Sequence, residues 1–155
     1  AELPRLLERA GPGVEGTEGS ITGLFTVLVE GDDHNEPVAD TVRGILDGHI
    51  VLDRAIAERG RYPAINILRS VSRAMPACNS QSEQAIVARA RGPLATYEDM
   101  AELIRLGAYK HGTNAEVDAA IKIYPQLETF LTQKKDEQCT LGETYAGLET
   151  ILGAR

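Results

Sequence analysis

The chain of 155 residues has no tryptophan, two phenylalanines, five tyrosines and two cysteines. With so few rings the core must be aliphatic, built from Leu, Ile, Val and Ala. No run approaches the roughly 18 to 20 apolar residues that span a bilayer. Residues 1–10 form a charged amphipathic segment and lack the apolar stretch of a signal peptide. Cys78 and Cys139 lie far apart with no motif spacing, which reads as two reduced thiols of a cytosolic protein. A formal net charge of −7 argues against a stand-alone nucleic-acid binder, whose affinity rests on a basic face. His34, His49 and His111 show no zinc-ligand spacing. Neither cysteine has a histidine partner or a nucleophile signature. No metal centre is expected.

A phosphate loop is missing too. Gly11, Gly13, Gly16 and Gly19 form a cluster, but the chemistry needs a Lys and a Ser or Thr directly after the last glycine. Here Ser20 and Ile21 follow, and the glycines precede a strand-like run instead of following one. A flexible loop is the expectation. The run Val27–Val29 into Glu30, Gly31, Asp32 and Asp33 has the look of a magnesium-holding strand end. Acidic turn residues also cap helices, and without a phosphate loop the capping reading is preferred.

What is present divides into two textures, an α/β portion over 1–76 and an all-helical portion over 77–155. Leu3, Leu6 and Leu7 lie at helical spacing. Residues 20–30 predict a strand buried on both faces. A helix is predicted from Glu36 or Pro37, with Val38, Val42, Ile45 and Leu46 as its stripe. A short strand follows over 49–52, then a helix capped by Asp53 and stopped by Gly60, then an extended segment over 62–65. That alternation predicts a mainly parallel sheet. So few strands, and a start inside a helix without an initiator methionine, suggest part of a longer protein.

In the second half, Ser80–Glu83, Thr113–Glu116 and Thr140–Glu143 fit the capping box, and Thr96–Asp99 is a weaker version. Amphipathic periods run through Leu94 to Ile104, Val117 to Leu131 and Leu141 to Leu152. They predict a small bundle, with Pro125 kinking or splitting its second helix.

Residues 61–76 (RYPAINILRSVSRAMP) offer an aromatic on a proline-bounded stretch and three basic residues. Tyr62 can stack on a base, and Arg73 can reach a phosphate. A buried core tyrosine and a surface ion-pairing arginine explain the same residues, and on physical grounds alone that plainer reading is favoured.

Tyr62–Pro63–Ala64–Ile65 and Ser70–Val71–Ser72–Arg73, however, resemble the late part of the nucleotide-binding domain of hexameric rotary-type ATPases. That group spans the ATP synthase catalytic subunits and the flagellum-specific and virulence type III secretion ATPases. Residues 19–22, 27–40 (VLVEGDDHNEPVAD), 46–60 (LDGHIVLDRAIAERG) and 70–76 agree. Together with 97–109 (YEDMAELIRLGAY) they are most similar to the flagellar export branch.

The resemblance implies the C-terminal part of a RecA-like P-loop NTPase core over 1–76, then a C-terminal helical domain over 77–155. It implies a cytoplasmic homohexamer, peripheral at the inner-membrane export gate. That assembly would hydrolyse ATP with Mg2+ and meet stalk and regulator proteins, export substrates and chaperones. Arg73 matches the arginine that reaches a neighbouring subunit's γ-phosphate, and Tyr62 the aromatic that stacks on adenine. Residues 130–133 (FLTQ) match the stretch ahead of further adenine-closing aromatics. None occurs over 134–141, so Gln138 or Cys139 is expected to line the pocket. Residues 110–114 replace an acidic tip that meets the stalk in synthases. The phosphate loop, catalytic glutamate and magnesium site would lie upstream of Ala1, so the chain alone is expected neither to hydrolyse ATP nor to bind it tightly. The alternatives are a virulence secretion ATPase, or a non-catalytic helical interaction module in which Tyr62 and Arg73 are structural.

Overall fold

The structure, a computed structural model, describes residues 2–16, 19–29 and 37–153. The chain divides into two compact units, Ala1–His49 and Ile50–Arg155. In the first, α1 (Glu2–Leu7) packs on α2 (Pro37–Ile45), whose first residue is proline, and Leu7, Ala39 and Val42 are buried. Between them β1 (Gly11–Pro12) pairs antiparallel with β2 (Ser20–Ile21). The Gly13 N–H donates to the Gly19 carbonyl at 2.9 Å and closes the glycine loop. Gly19 has φ +128°, open to glycine and strained for other residues.

The strand expected over 20–30 is not formed. Its ladder stops at Ile21, and Leu24 and Leu28 are 92% and 89% exposed. A strand buried on both faces needs neighbours along its edges. Among the described residues only β1 pairs with it, over two residues, one of them a proline without an N–H. Farther on, the Phe25 ring folds over Gly23, 2.5 Å from where a β-carbon would stand. Residues 30–36, with the magnesium or capping readings of 30–33 and with His34, lie outside the described residues.

In the second unit, β3 (Gly48–Leu52, starting just before the division) is hydrogen-bonded to β4 (Ile65–Ser72). Between them lies α3 (Arg54–Glu58), capped as expected by Asp53, whose Oδ1 accepts the Ala55 N–H at 2.9 Å. Gly60, with φ +83°, follows its end. The Asp53 N–H then donates to the Ala64 carbonyl at 2.8 Å.

After the short α4 (Met75–Cys78) come α5 (Gln81–Arg105), α6 (Ala115–Leu131) and α7 (Leu141–Leu152), which pack on one another. Ala90, Leu94 and Leu127 form the centre, with Ile67 and Leu68 of β4 against it. An α/β portion is thus followed by a helical bundle, as expected. No helix among the described residues is long and apolar enough to cross a membrane.

Ser80–Glu83 and Thr140–Glu143 are complete capping boxes. The other two expectations need correction. Asn114, not Thr113, caps α6, its Oδ1 accepting from Glu116 N and Val117 N. Thr96 lies inside α5 and donates to Glu116 Oε1 at 3.3 Å. Nor does Pro125 split its helix: α6 continues through it, as α5 does through Pro93. Each proline removes one N–H, and packing along the flanking turns outweighs that loss.

Candidate functional site

Tyr62 is not a buried core aromatic. It is 57% exposed, on the connection leading into β4, and a cis peptide bond joins it to Pro63. Its backbone is held although its ring is open. The Gln133 N–H, two residues past the end of α6, donates to the Tyr62 carbonyl at 2.8 Å. The preceding residue, Arg61, is almost fully enclosed. Its Nε lies 3.2 Å from Glu128 Oε2 on α6, and its Nη2 donates to the Ile65 carbonyl at 3.1 Å.

The loop from Gln133 onward is folded on itself. Gln133 Nε2 donates to the Glu137 carbonyl at 3.1 Å, and Lys134 N–H to Glu137 Oε2 at 3.0 Å. Gln138 and Cys139 follow and are exposed, with the Cys139 thiol 3.3 Å from Thr144 Oγ1. Tyr62 and the start of this loop are thereby brought together. Gln138 and Cys139 are tied to that meeting point only through the loop.

Arg73 stands at the other end of β4, immediately after Ser72, and is exposed. Ser72 Oγ accepts the Met75 N–H at 3.1 Å, which turns the chain sharply into α4 just beyond the arginine.

β4 itself is bent. Ser70 Oγ donates to the Asn66 carbonyl at 2.6 Å, whereas a straight strand would hold those residues roughly 13 Å apart. Asn66, only 7% exposed, organises the bend. Its Oδ1 accepts the Arg69 N–H and its Nδ2 donates to Asp53 Oδ2, both at 3.1 Å. The Asn66 amide holds the Asp53 carboxyl below the usual aspartate range.

Asp53, Arg61, Asn66, Glu98, Tyr124 and Glu128 are among the residues lining a polar cleft of about 270 Å³ between this strand and the helices. Partial burial raises the Glu98 carboxyl, and burial beside Glu128 pushes the Tyr124 hydroxyl up to about 12. The Tyr97 and Tyr124 rings stack at 3.6 Å, 11° from parallel. The sequence marked Asp53 only as a helix cap and Arg61 only as one of three basic residues, and it did not mark Asn66, Glu98 or Glu128. The available signal was polar residues on helix faces otherwise suited to burial.

The α5–α6 loop is organised by Asp118. Its Oδ1 accepts from the Tyr109 hydroxyl at 3.0 Å and its Oδ2 from the Gly112 N–H at 2.8 Å, with His111 Nδ1 3.6 Å away. Among the described residues no group of three or more His, Cys, Asp or Glu side chains is placed to hold a metal.

Two family models match, covering nearly the whole chain. ATP synthase alpha/beta family, nucleotide-binding domain, matches residues 1–72, and T3SS EscN ATPase C-terminal domain matches 79–150. The flagellum-specific ATP synthase of Caulobacter vibrioides is 56% identical over 155 residues, 97% of this chain and 35% of that protein. The SPI-2 type 3 secretion system ATPase of Salmonella typhimurium is 53% identical over 137 residues, 88% of this chain and 31% of that protein. The assembled ATPase EscN of the enteropathogenic E. coli type III secretion system superposes with a TM-score of 0.90 at 40% identity, over 98% of this chain and 36% of that one. EscN in complex with its central stalk EscO gives 0.84 at 38% identity, over 98% and 35%. The chain spans about a third of the length of the curated relatives it matches. By both matches, the chain belongs to the ATP synthase alpha/beta family, among its type III secretion and flagellar ATPases.

Proposed function

We propose that this chain contributes the base-stacking and interface-arginine parts of the ATP site of a homohexameric ATPase that energises flagellar protein export. The observation that carries the reading is the placement of Tyr62 and Arg73 at opposite ends of β4, both exposed. Two groups so separated suit two different nucleotides, the subunit's own and a neighbour's. Tyr62 stacks on adenine, and Gln138 and Cys139 line the pocket beyond the Gln133 contact. Arg73 meets the γ-phosphate of the neighbouring site, where a guanidinium supplied in trans stabilises charge developing on the transferred phosphoryl group. Bound ATP with Mg2+ supplies the phosphoryl group, and the residues that cradle its phosphates and metal lie elsewhere in the longer protein.

The functional division falls at 76/77, a reading supported by the gap between the two matched regions, 1–72 and 79–150. The bundle's α5–α6 loop, shaped by Asp118, faces the export gate or a stalk protein. That assignment draws on the complex of EscN with its central stalk. The assembly works in the cytoplasm, at the membrane-embedded export gate, where it receives substrates and chaperones.

The test is Arg73→Ala in a full-length ATPase carrying this chain. The expected result is a fall in kcat of about a thousandfold or more, not recovered by Arg73→Lys. An unchanged rate would reject the trans-arginine role and favour a non-catalytic interaction module. Rescue of motility, as opposed to virulence-type secretion, separates the flagellar assignment from its sibling.

A further inference from the structure

We infer that the Arg61–Glu128 ion pair is a positioning device for Tyr62, through which the C-terminal end of α6 sets the affinity of the base pocket. This rests on the base-stacking role proposed for Tyr62. An aromatic more than half exposed on a connecting segment has little packing to hold it. Tyr62 is 57% exposed, so its placement depends largely on its backbone.

That backbone is gripped on both sides from one helix end. On the N-terminal side, Arg61 is extended into the cleft with its side chain only 10% exposed, against Glu128 at 3.2 Å. Its other contact, to the Ile65 carbonyl, spans Tyr62 and Pro63 and fixes the connection from within. On the C-terminal side, the Tyr62 carbonyl accepts the Gln133 N–H. Glu128 belongs to the last turns of α6 and Gln133 directly follows its cap residue, Thr132. A shift of that helix end therefore moves both holds on Tyr62 together.

An enclosed arginine is costly to leave without its counter-charge. Without Glu128 the guanidinium turns toward water and takes the Tyr62 backbone with it. The ring then loses its stacking register, which affects nucleotide affinity much more than the chemical step.

Steady-state ATP hydrolysis by the full-length ATPase carrying this chain tests the inference. Tyr62→Ala is expected to raise KM for ATP about tenfold, within the range of one base–aromatic stack. Glu128→Gln, isosteric and uncharged, is expected to raise KM about three- to tenfold with kcat within about twofold. The charge reversal Arg61→Glu with Glu128→Arg is expected to recover part of that loss. The discriminating arm is Glu128→Gln on the Tyr62→Ala background, where it should add nothing, because the residue it acts through is gone.

A full further increase in KM on that background would mean a general structural role and would overturn the inference. An effect of Tyr62→Ala with none from Glu128→Gln overturns the positioning role and leaves base stacking standing. No effect of Tyr62→Ala removes the stacking assignment, and the positioning role with it. Melting temperatures of every variant accompany the kinetics, and Arg61→Met serves as the second probe of the pair if Glu128→Gln does not fold.

Discussion

The Phe130 ring fills the space that a side chain on Gly147 would enter: a β-carbon there would stand 2.9 Å from Phe130 Cε2. Helices α6 and α7 meet closely at this point because one partner has no side chain. Gly147→Ala gains helix propensity but forces the ring aside, and the expected net effect is a loss of about 1 kcal/mol in urea unfolding. Gly142→Ala, on the same helix with nothing within 4 Å, is expected to be neutral or to gain up to about 1 kcal/mol.

Asn66 is the hub of the β4 bend. Asn66→Leu keeps the bulk and removes the bonds to the Arg69 N–H and Asp53 Oδ2. Chemical denaturation is expected to show a loss of about 1–3 kcal/mol, the usual range for stranding buried polar partners. The Asp53 carboxyl should also titrate closer to its ordinary value in the variant, as read by NMR.

The caps make a graded comparison. Ser80→Ala, Asn114→Ala and Thr140→Ala are each expected to cost about 0.5–2 kcal/mol, whereas Thr113→Ala costs close to nothing. Glu83 is held below 4.5 chiefly by the Ser80 hydroxyl, and Glu143 chiefly by the Thr140 N–H. Depressed carboxyls stabilise the fold above their unfolded value, and that contribution disappears as pH falls through the lower folded values. The deficit of Ser80→Ala should shrink on acidification through that window, and that of Thr140→Ala less so, because alanine keeps the N–H that chiefly holds Glu143.

Glu98 behaves in the opposite sense. Burial raises its carboxyl above 4.5, so its neutral form suits the fold. Its favourable share is complete below the unfolded value and is lost as pH rises through the folded one. Glu98→Gln should therefore melt at a higher temperature than the parent at neutral pH, with the difference vanishing below about pH 4.

The features visible in the sequence were the local ones. Asp53, Ser80 and Thr140 cap their helices within three residues, and that spacing is written in the chain. Thr113 and Asn114 are neighbours of equal capping chemistry. The choice between them was made by the Tyr109 and Asp118 contacts that hold the loop. The run from Ser20 was misread because a strand is defined by its partners, and composition does not reveal them. Tyr62 and Arg73 were visible as an aromatic and a cation on one short segment, but only the resemblance favoured a nucleotide role for them over the plainer one. Glu128 did not stand out at all, because its pairing with Arg61 joins segments 67 residues apart and no helical or strand period encodes such a meeting.

The Arg89 guanidinium, on α5, donates to the carbonyls of Leu152 and Gly153 at 3.0 and 2.9 Å. Those carbonyls close α7, where a helix ordinarily frays into solvent. Opening the last turn thus requires breaking two charge-assisted bonds to another helix of the bundle. In hydrogen-exchange terms, the amides before Gly153 should protect with the bundle, as one cooperative unit, instead of exchanging early as a loose end.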